Sequence, residues 1–290
     1  MGAVYGEARV VDLPTLLTEV SDRLGLEDAK PLTQGGQKIV LAGRLGGIDA
    51  VAKVVFTPAG PAGQIALKRA HREVELLSAV ESDYVVRVLT DAIEIGEQPD
   101  AVCWAENRLD GVDISVLLTA KWDHDDVWAL LYDISRALEA CHELEVVHRD
   151  LSPGNVRKTS NGRYVLMDPG LARHLAKTAM TGNFQPGTPG FRSPEHVPGG
   201  DPGTASDIFA LGLLAFYALS GHFAIDPNVS DPEYNRLLLE SQAVDIRVLE
   251  PDVPSELAGI VNRCLERQPA RRFIDGTELH EAIADVRGKK

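Results

Sequence analysis

Apolar residues first recur at helical spacing over residues 12–24, where Leu13, Leu16, Leu17, Val20 and Leu24 make one stripe. That spacing predicts a short amphipathic helix, an N-terminal extension packed on the domain that follows. The period then changes. Residues 31–57 read as strands, with Lys38-Ile39-Val40-Leu41 and Ala50-Val51-Ala52-Lys53-Val54-Val55 joined by a Gly46-Gly47 turn. Residues 62–79 return to helical spacing, with Ile65, Ala66, Ala70, Val74 and Leu77 on one face. Two further strands, Val85–Ile95 and Ala101–Glu106, flank a Gly96–Asp100 turn. From Ile114 onward helices dominate: Asp126–Leu144, Ser206–Ser220, Pro232–Gln242, Ser255–Arg267 and Gly276–Arg287. Inside that half Asn161-Gly162 separates Val156-Arg157-Lys158 from Tyr164-Val165-Leu166, a strong hairpin signal. The order implies an α+β chain in which a small β-rich part with one helix precedes a larger, mainly helical part. There is no internal repeat and no low-complexity segment.

Composition narrows the partners. The chain has 290 residues, of which 44% are hydrophobic, enough for a sizeable core. Lys plus Arg number 29 against 43 Asp plus Glu, a net charge of −14 that argues against nucleic acid or an anionic membrane surface as a partner. Cys103, Cys141 and Cys264 are scattered and odd in number, which points to a reducing, cytoplasmic setting without a disulfide framework. No secretory signal is evident. The longest apolar run, from Phe209 to Ser220, is too short for a membrane span.

The chemistry concentrates in Val146-Val147-His148-Arg149-Asp150-Leu151-Ser152-Pro153-Gly154-Asn155, followed after the hairpin by Asp168-Pro169-Gly170. One Asp can accept a hydroxyl proton. An Asn shortly after it and a second Asp beyond a hairpin can hold Mg²⁺ on a nucleotide triphosphate. This ordered set resembles the catalytic loop and metal-binding motif of the eukaryotic-type (Hanks-type) serine/threonine protein kinases, in a soluble bacterial-like form. Further matches in family order extend the resemblance over residues 30–287. It implies a bilobal kinase-like fold, with residues 1–27 as the extension and 28–287 as the kinase domain. The N-lobe would span about 28–106 and the C-lobe about 109–287.

The resemblance also implies roles. Lys53 would reach the α- and β-phosphates of ATP, oriented by an ion pair with Glu73 on the helix. Glu75 competes for that role, but Glu73 places Leu77, one turn on, toward the core. Gly35 and Gly36 would let backbone N–H groups approach phosphate, although only one glycine of the family's G-x-G-x-x-G-x-V stands in register. Val40 and Ala52 would pack above the adenine. Backbone groups of Glu106 and Arg108 would pair with it, and Ala105 just before them would leave the space behind it open. Asp150 would be the base and Thr188 would contact it. Asn155 and Asp168 would hold Mg²⁺, with Mn²⁺ as a substitute. Glu195 would be buried and paired with Arg272, and Asp207 would bind the backbone of the His148-Arg149 turn. Arg149 would receive a phosphate carried by the following segment, on Thr178 or Thr181 and preferably Thr181.

Several departures matter. Ser152 stands where the family has a Lys that offsets charge on the transferring phosphoryl group, and Arg157 or Lys158 is a candidate replacement. Arg157 also falls where the family places an apolar residue beneath adenine. Pro169 replaces an aromatic. These departures keep two alternatives open. One is a small-molecule phosphotransferase of the aminoglycoside-kinase type, which lacks the Thr188–Glu195 segment. The other is a pseudokinase scaffold, opposed by retention of Lys53, Glu73, Asp150, Asn155 and Asp168. The partners implied are ATP and a protein substrate bearing a Ser or Thr hydroxyl.

Overall fold

The computed structural model describes residues 12–34, 38–57, 60–96, 101–168, 188–197 and 200–288. The chain divides into two compact units. The first holds the residues before Val80 together with Arg87–Arg108, and the second holds Val80–Val86 and most of the chain after Leu109.

In the first unit, helix α1 (Leu13–Leu24) starts with a proline in its first turn and ends at Gly25. Five strands follow: β1 (Glu27–Gln34), β2 (Lys38–Leu45), β3 (Ile48–Phe56), β4 (Ile93–Ile95) and β5 (Ala101–Asn107). They form one antiparallel sheet in the order β1-β2-β3-β5-β4. The β2–β3 turn is the expected Gly46-Gly47. Its φ values of 56° and 84° are the doubly left-handed conformation that a tight hairpin of this hand requires. Pairing along β2–β3 and β3–β5 runs without a bulge. Alternate residues of β3 therefore face opposite sides of the sheet without interruption. Ala50, Ala52 and Val54 face one side, where they pack with Ile39, Leu41, Ala101, Cys103 and with Leu16 and Val20 of α1. The predicted amphipathic helix is thus the cover of this sheet face. Helix α2 (Pro61–Ser78) packs against β5.

Two strand expectations need correction. The sheet begins at Glu27, before the expected start, because β1 pairs with β2 through two register irregularities that blur its alternation. The expected strand Val85–Ile95 is regular only over Ile93–Ile95. Val85 and Val88 make isolated bridges to Leu166 and Glu106 instead.

The second unit opens with β6 (Val112–Asp113) and α3 (Ile114–Leu117). Helix α4 (His124–Glu143) starts where the Asp123 side chain accepts from the Asp126 N–H at 2.7 Å, an N-cap. Strands β7 (Val156–Lys158) and β8 (Tyr164–Leu166) form the hairpin across Asn161-Gly162 and pair with β6. Helices α5 (Thr204–Ser220), α6 (Asp231–Glu240), α7 (Ile246–Leu249), α8 (Ser255–Cys264) and α9 (Gly276–Gly288) complete the unit. The apolar run of α5 is buried on every side. Ile208, Leu211, Leu214 and Phe216 meet Leu130, Leu131, Ile134 and Leu138 of α4, Leu257 and Val261 of α8, and Leu279 and Ile283 of α9. Each such side chain contributes about 1.5–3 kcal/mol when taken fully from water. This core is what makes α4 and α5 a rigid mount for the loop between them. Among the described residues no helix is long and apolar enough to cross a membrane.

Candidate active site

In the first unit, Val40, Lys53, Trp104 and Glu106 share the sheet face opposite α1. Lys53 lies directly across from Val40 on β2 and from Trp104 on β5. Its ammonium donates to the Glu106 carboxylate. The other carboxylate oxygen of Glu106 accepts from the Trp104 indole N–H at 2.7 Å. Lys53, Trp104 and Glu106 are 6%, 1% and 3% exposed, so the pair sits out of solvent. Glu73 is half-buried on α2, whereas Glu75 is exposed and Leu77 is buried. Gly35 and Gly36 lie outside the described residues.

Strand parity goes against two expectations here, those for Ala52 and Ala105. Ala52 is on the α1 side, in the apolar cluster, and Val51 is the β3 residue that shares a face with Lys53. Ala105 is directly opposite Ala52 and shares its parity, so Ala105 does not face the Lys53 side. Glu106, two residues from Trp104, does. The Arg108 N–H donates to the Asp49 carbonyl at 2.9 Å and is already occupied. Val40 shares the Lys53 face.

In the second unit, the loop that carries Asp150 is held by its backbone. Asp207, at the start of α5, accepts from the His148 N–H at 2.7 Å through one oxygen and the Arg149 N–H at 2.8 Å through the other. These bonds hold Arg149 at φ 63°, a left-handed conformation that a long side chain adopts only when its surroundings impose it. His142 supports Asp207 in turn. The Gly276 N–H donates to its Nδ1 at 3.0 Å, so Nε2 carries the proton and donates to Asp207 at 3.1 Å. Burial alone would raise the Asp207 pKa. The hydrogen bonds from the His142 ring and the His148 N–H outweigh it and hold the carboxyl below its ordinary range. From the other side, His196 donates from Nε2 to the Arg149 carbonyl at 2.9 Å, while its Nδ1 accepts from the Ser193 N–H at 3.2 Å. Burial lowers the His196 pKa, in keeping with the neutral ring this pattern needs. Neither histidine carried a sequence signal.

Asp150 is thereby fixed, at 8% exposure. The Thr188 hydroxyl donates to its Oδ1 at 3.2 Å, as expected. The Asn155 side-chain amide donates to the Asp150 carbonyl at 2.8 Å, which leaves the Asn155 amide oxygen to face a cation. The Asn155 carbonyl accepts from the Met167 N–H at 2.8 Å, and this bond sets the chain just before Asp168. Asp168 itself has φ 49°. One carboxylate and one amide oxygen are hard donors. They fit Mg²⁺, which keeps several waters and takes phosphate oxygens rather than a full protein cage.

The two cations proposed to compensate for Ser152 do not do so here. Arg157 donates to Asp113 at 2.9 Å and to the Leu109 carbonyl at 3.1 Å. Lys158 donates to Asp126 at 2.5 Å. The hairpin turns both away onto carboxylates, and Ser152 is buried at 5% exposure.

Beyond Thr188, Arg272 donates to both oxygens of Glu195, each at 2.9 Å, and its guanidinium lies 4.6 Å from the Phe209 ring centroid. The Ser206 hydroxyl adds a bond to Glu195 at 2.9 Å. Residues 169–187, with Thr178 and Thr181, lie outside the described residues. An Asp braced through its backbone, beside an Asn and a second Asp with oxygen donors, suits a phosphotransferase acting on hydroxyls.

The protein kinase domain model matches residues 47–282, and the chain belongs to that family. It is similar to the serine/threonine-protein kinase PknK of Mycobacterium tuberculosis, 30% identical over 207 residues, which is 70% of this chain and 18% of that protein. It is also similar to the serine/threonine-protein kinase pkn2 of Myxococcus xanthus, 30% identical over 230 residues, or 75% of this chain and 27% of the relative. PknA of Corynebacterium glutamicum is 27% identical over 255 residues, 83% of this chain and 51% of the relative. The chain therefore spans from under a fifth to about half of these relatives. The crystal structure of the M. tuberculosis PknI kinase domain aligns with a TM-score of 0.65, covering 89% of this chain and 94% of that one at 23% identity, a likeness of fold.

Proposed function

We propose that this chain transfers the γ-phosphate of ATP to serine or threonine hydroxyls of protein substrates. The observation that carries the reading is the Asp150–Thr188 contact at 3.2 Å, on a loop whose backbone is braced by Asp207. Asp150 orients the acceptor hydroxyl and takes its proton. Thr188 keeps the Asp150 carboxylate aimed and helps seat a Ser or Thr side chain. Lys53 carries the positive charge for the α- and β-phosphates. Asn155 and Asp168 supply the oxygen donors for Mg²⁺ or Mn²⁺, which when bound neutralises charge on the phosphates. Since Arg157 and Lys158 are engaged elsewhere, Ser152 leaves the developing phosphoryl charge with less cationic support. A modest kcat is the consequence.

The Glu195–Arg272 brace supports a protein kinase over a small-molecule phosphotransferase, which lacks this segment. The domain is taken to run over 28–287, with 1–27 as an extension. The three free, buried cysteines suit a reducing, cytoplasmic setting. Control by phosphorylation is part of the reading. Among the described residues the buried Arg149 Nε has no hydrogen-bond partner, which leaves a donor for a phosphate on Thr178 or Thr181. Transfer of radiolabelled phosphate from Mg-ATP to a protein acceptor, with Asp150→Asn as control, tests the whole reading. Equal transfer by both proteins overturns it.

A further inference from the structure

We propose that Glu106 is a positioning residue for Lys53, an anchor built into the sheet itself; this rests on the reading of Lys53 as the phosphate-binding cation. The register puts Lys53, Trp104 and Glu106 on one face of β3 and β5. All three are buried. A buried ammonium must be paired, and its partner decides where it points. Glu106 engages Lys53 through Oε2 and the Trp104 indole through Oε1. The carboxylate cannot rotate away without leaving a buried indole N–H unsatisfied. Trp104 therefore holds Glu106, and Glu106 holds the Lys53 ammonium.

Whatever Glu73 contributes from α2, the Glu106 anchor comes from a strand hydrogen-bonded to β3 along its length. A shift of α2 would leave it in place. Lys53 then keeps this strand-borne partner through motions of the helix.

The test compares wild type, Glu106→Gln, Glu106→Asp, Glu73→Gln and Lys53→Met. Two quantities are measured: kcat and KM for ATP, and the pH midpoint for acylation of Lys53 by a neutral amine reagent, read by mass spectrometry. Glu106→Gln keeps an oxygen for the indole and removes the charge. Its kcat/KM should fall about tenfold or more, and the Lys53 midpoint should move down by at least about one pH unit, because an opposite charge favours the ammonium. Should that variant not fold, Glu106→Asp carries the test, with a smaller loss and an intermediate midpoint. Wild-type kinetics and midpoint in Glu106→Gln, or a gain in activity, would overturn the inference; a gain would mark Glu106 as a competitor for Lys53. If Lys53→Met retains full transfer, the underlying reading of Lys53 fails instead.

Discussion

Arg272 reaches back 77 residues to close a two-pronged pair on Glu195, with both N–O distances at 2.9 Å. Arg272 is 1% exposed and also donates to the carbonyls of Ala205, Glu266 and Arg267. One guanidinium thus ties the segment after Thr188 to the start of α5 and to the turn after α8. The planar fork is what allows this, and an ammonium has no equivalent geometry.

Removing one partner strands the other. Arg272→Ala should cost about 3–5 kcal/mol of unfolding free energy in urea, and Arg272→Lys should recover little of it. A loss within error of zero would show that the pair is dispensable.

The same pair predicts an acid limb. Burial works to raise the Glu195 pKa, but the Arg272 guanidinium and the Ser193 and Ser206 hydroxyls hold it below its ordinary 4.5. Asp207 is held down likewise by His142 and His148. A carboxyl depressed in the folded state stabilises above its unfolded value and loses that contribution as pH falls through the folded one. Stability should therefore decline below about pH 4.5, and the decline should flatten in Glu195→Gln. Melting temperature against pH for both proteins decides the matter.

Asp150→Asn should lower kcat by a factor of about 10² to 10⁴ with little change in KM for ATP, as expected for loss of a general base. Thr188→Val should reduce kcat less than Asp150→Asn, and Thr188→Ser should restore it. Steady-state kinetics that show Thr188→Val unaffected would remove Thr188 from the site.

Gly190 adopts φ +87°, and a Cβ there would lie 2.6 Å from Phe223 Cε1. Its N–H donates to the Tyr234 hydroxyl at 3.1 Å. Gly190→Ala should cost about 1–3 kcal/mol and, by shifting the adjoining Thr188, lower kcat more than it raises KM. Chemical denaturation paired with kinetics gives both numbers.

Incubation with Mg-ATP should place phosphate on Thr181, or on Thr178, and the double Thr→Ala variant should lose activity. A phosphate brings about −1.5 to −2 charge and strong acceptors to Arg149. Phosphosite mapping that finds neither residue modified would reject this control.

Local periodicity was enough to predict α1, the Gly46-Gly47 and Asn161-Gly162 turns, and the helix-rich second unit, because each depends on residues close in sequence. The ordered motif around Asp150, Asn155 and Asp168 was legible for the same reason: one short loop and one hairpin carry it. The face on which Ala52, Ala105 and Glu106 fall was not legible. A strand shows its alternation in sequence, but which half of the alternation meets Lys53 depends on pairing with β2 and β5. The fate of Arg157 and Lys158 was also hidden, because their carboxylate partners come from β6 and α4. So were the roles of His142 and His196, whose partners lie 65 and 47 residues away. Residue types and short spacings determined the chemistry this chain can perform. The register of the sheet and the packing of α4 against α5 decided which groups hold Lys53 and Asp150 in place, since only long-range hydrogen bonds can select one partner among many of the same charge.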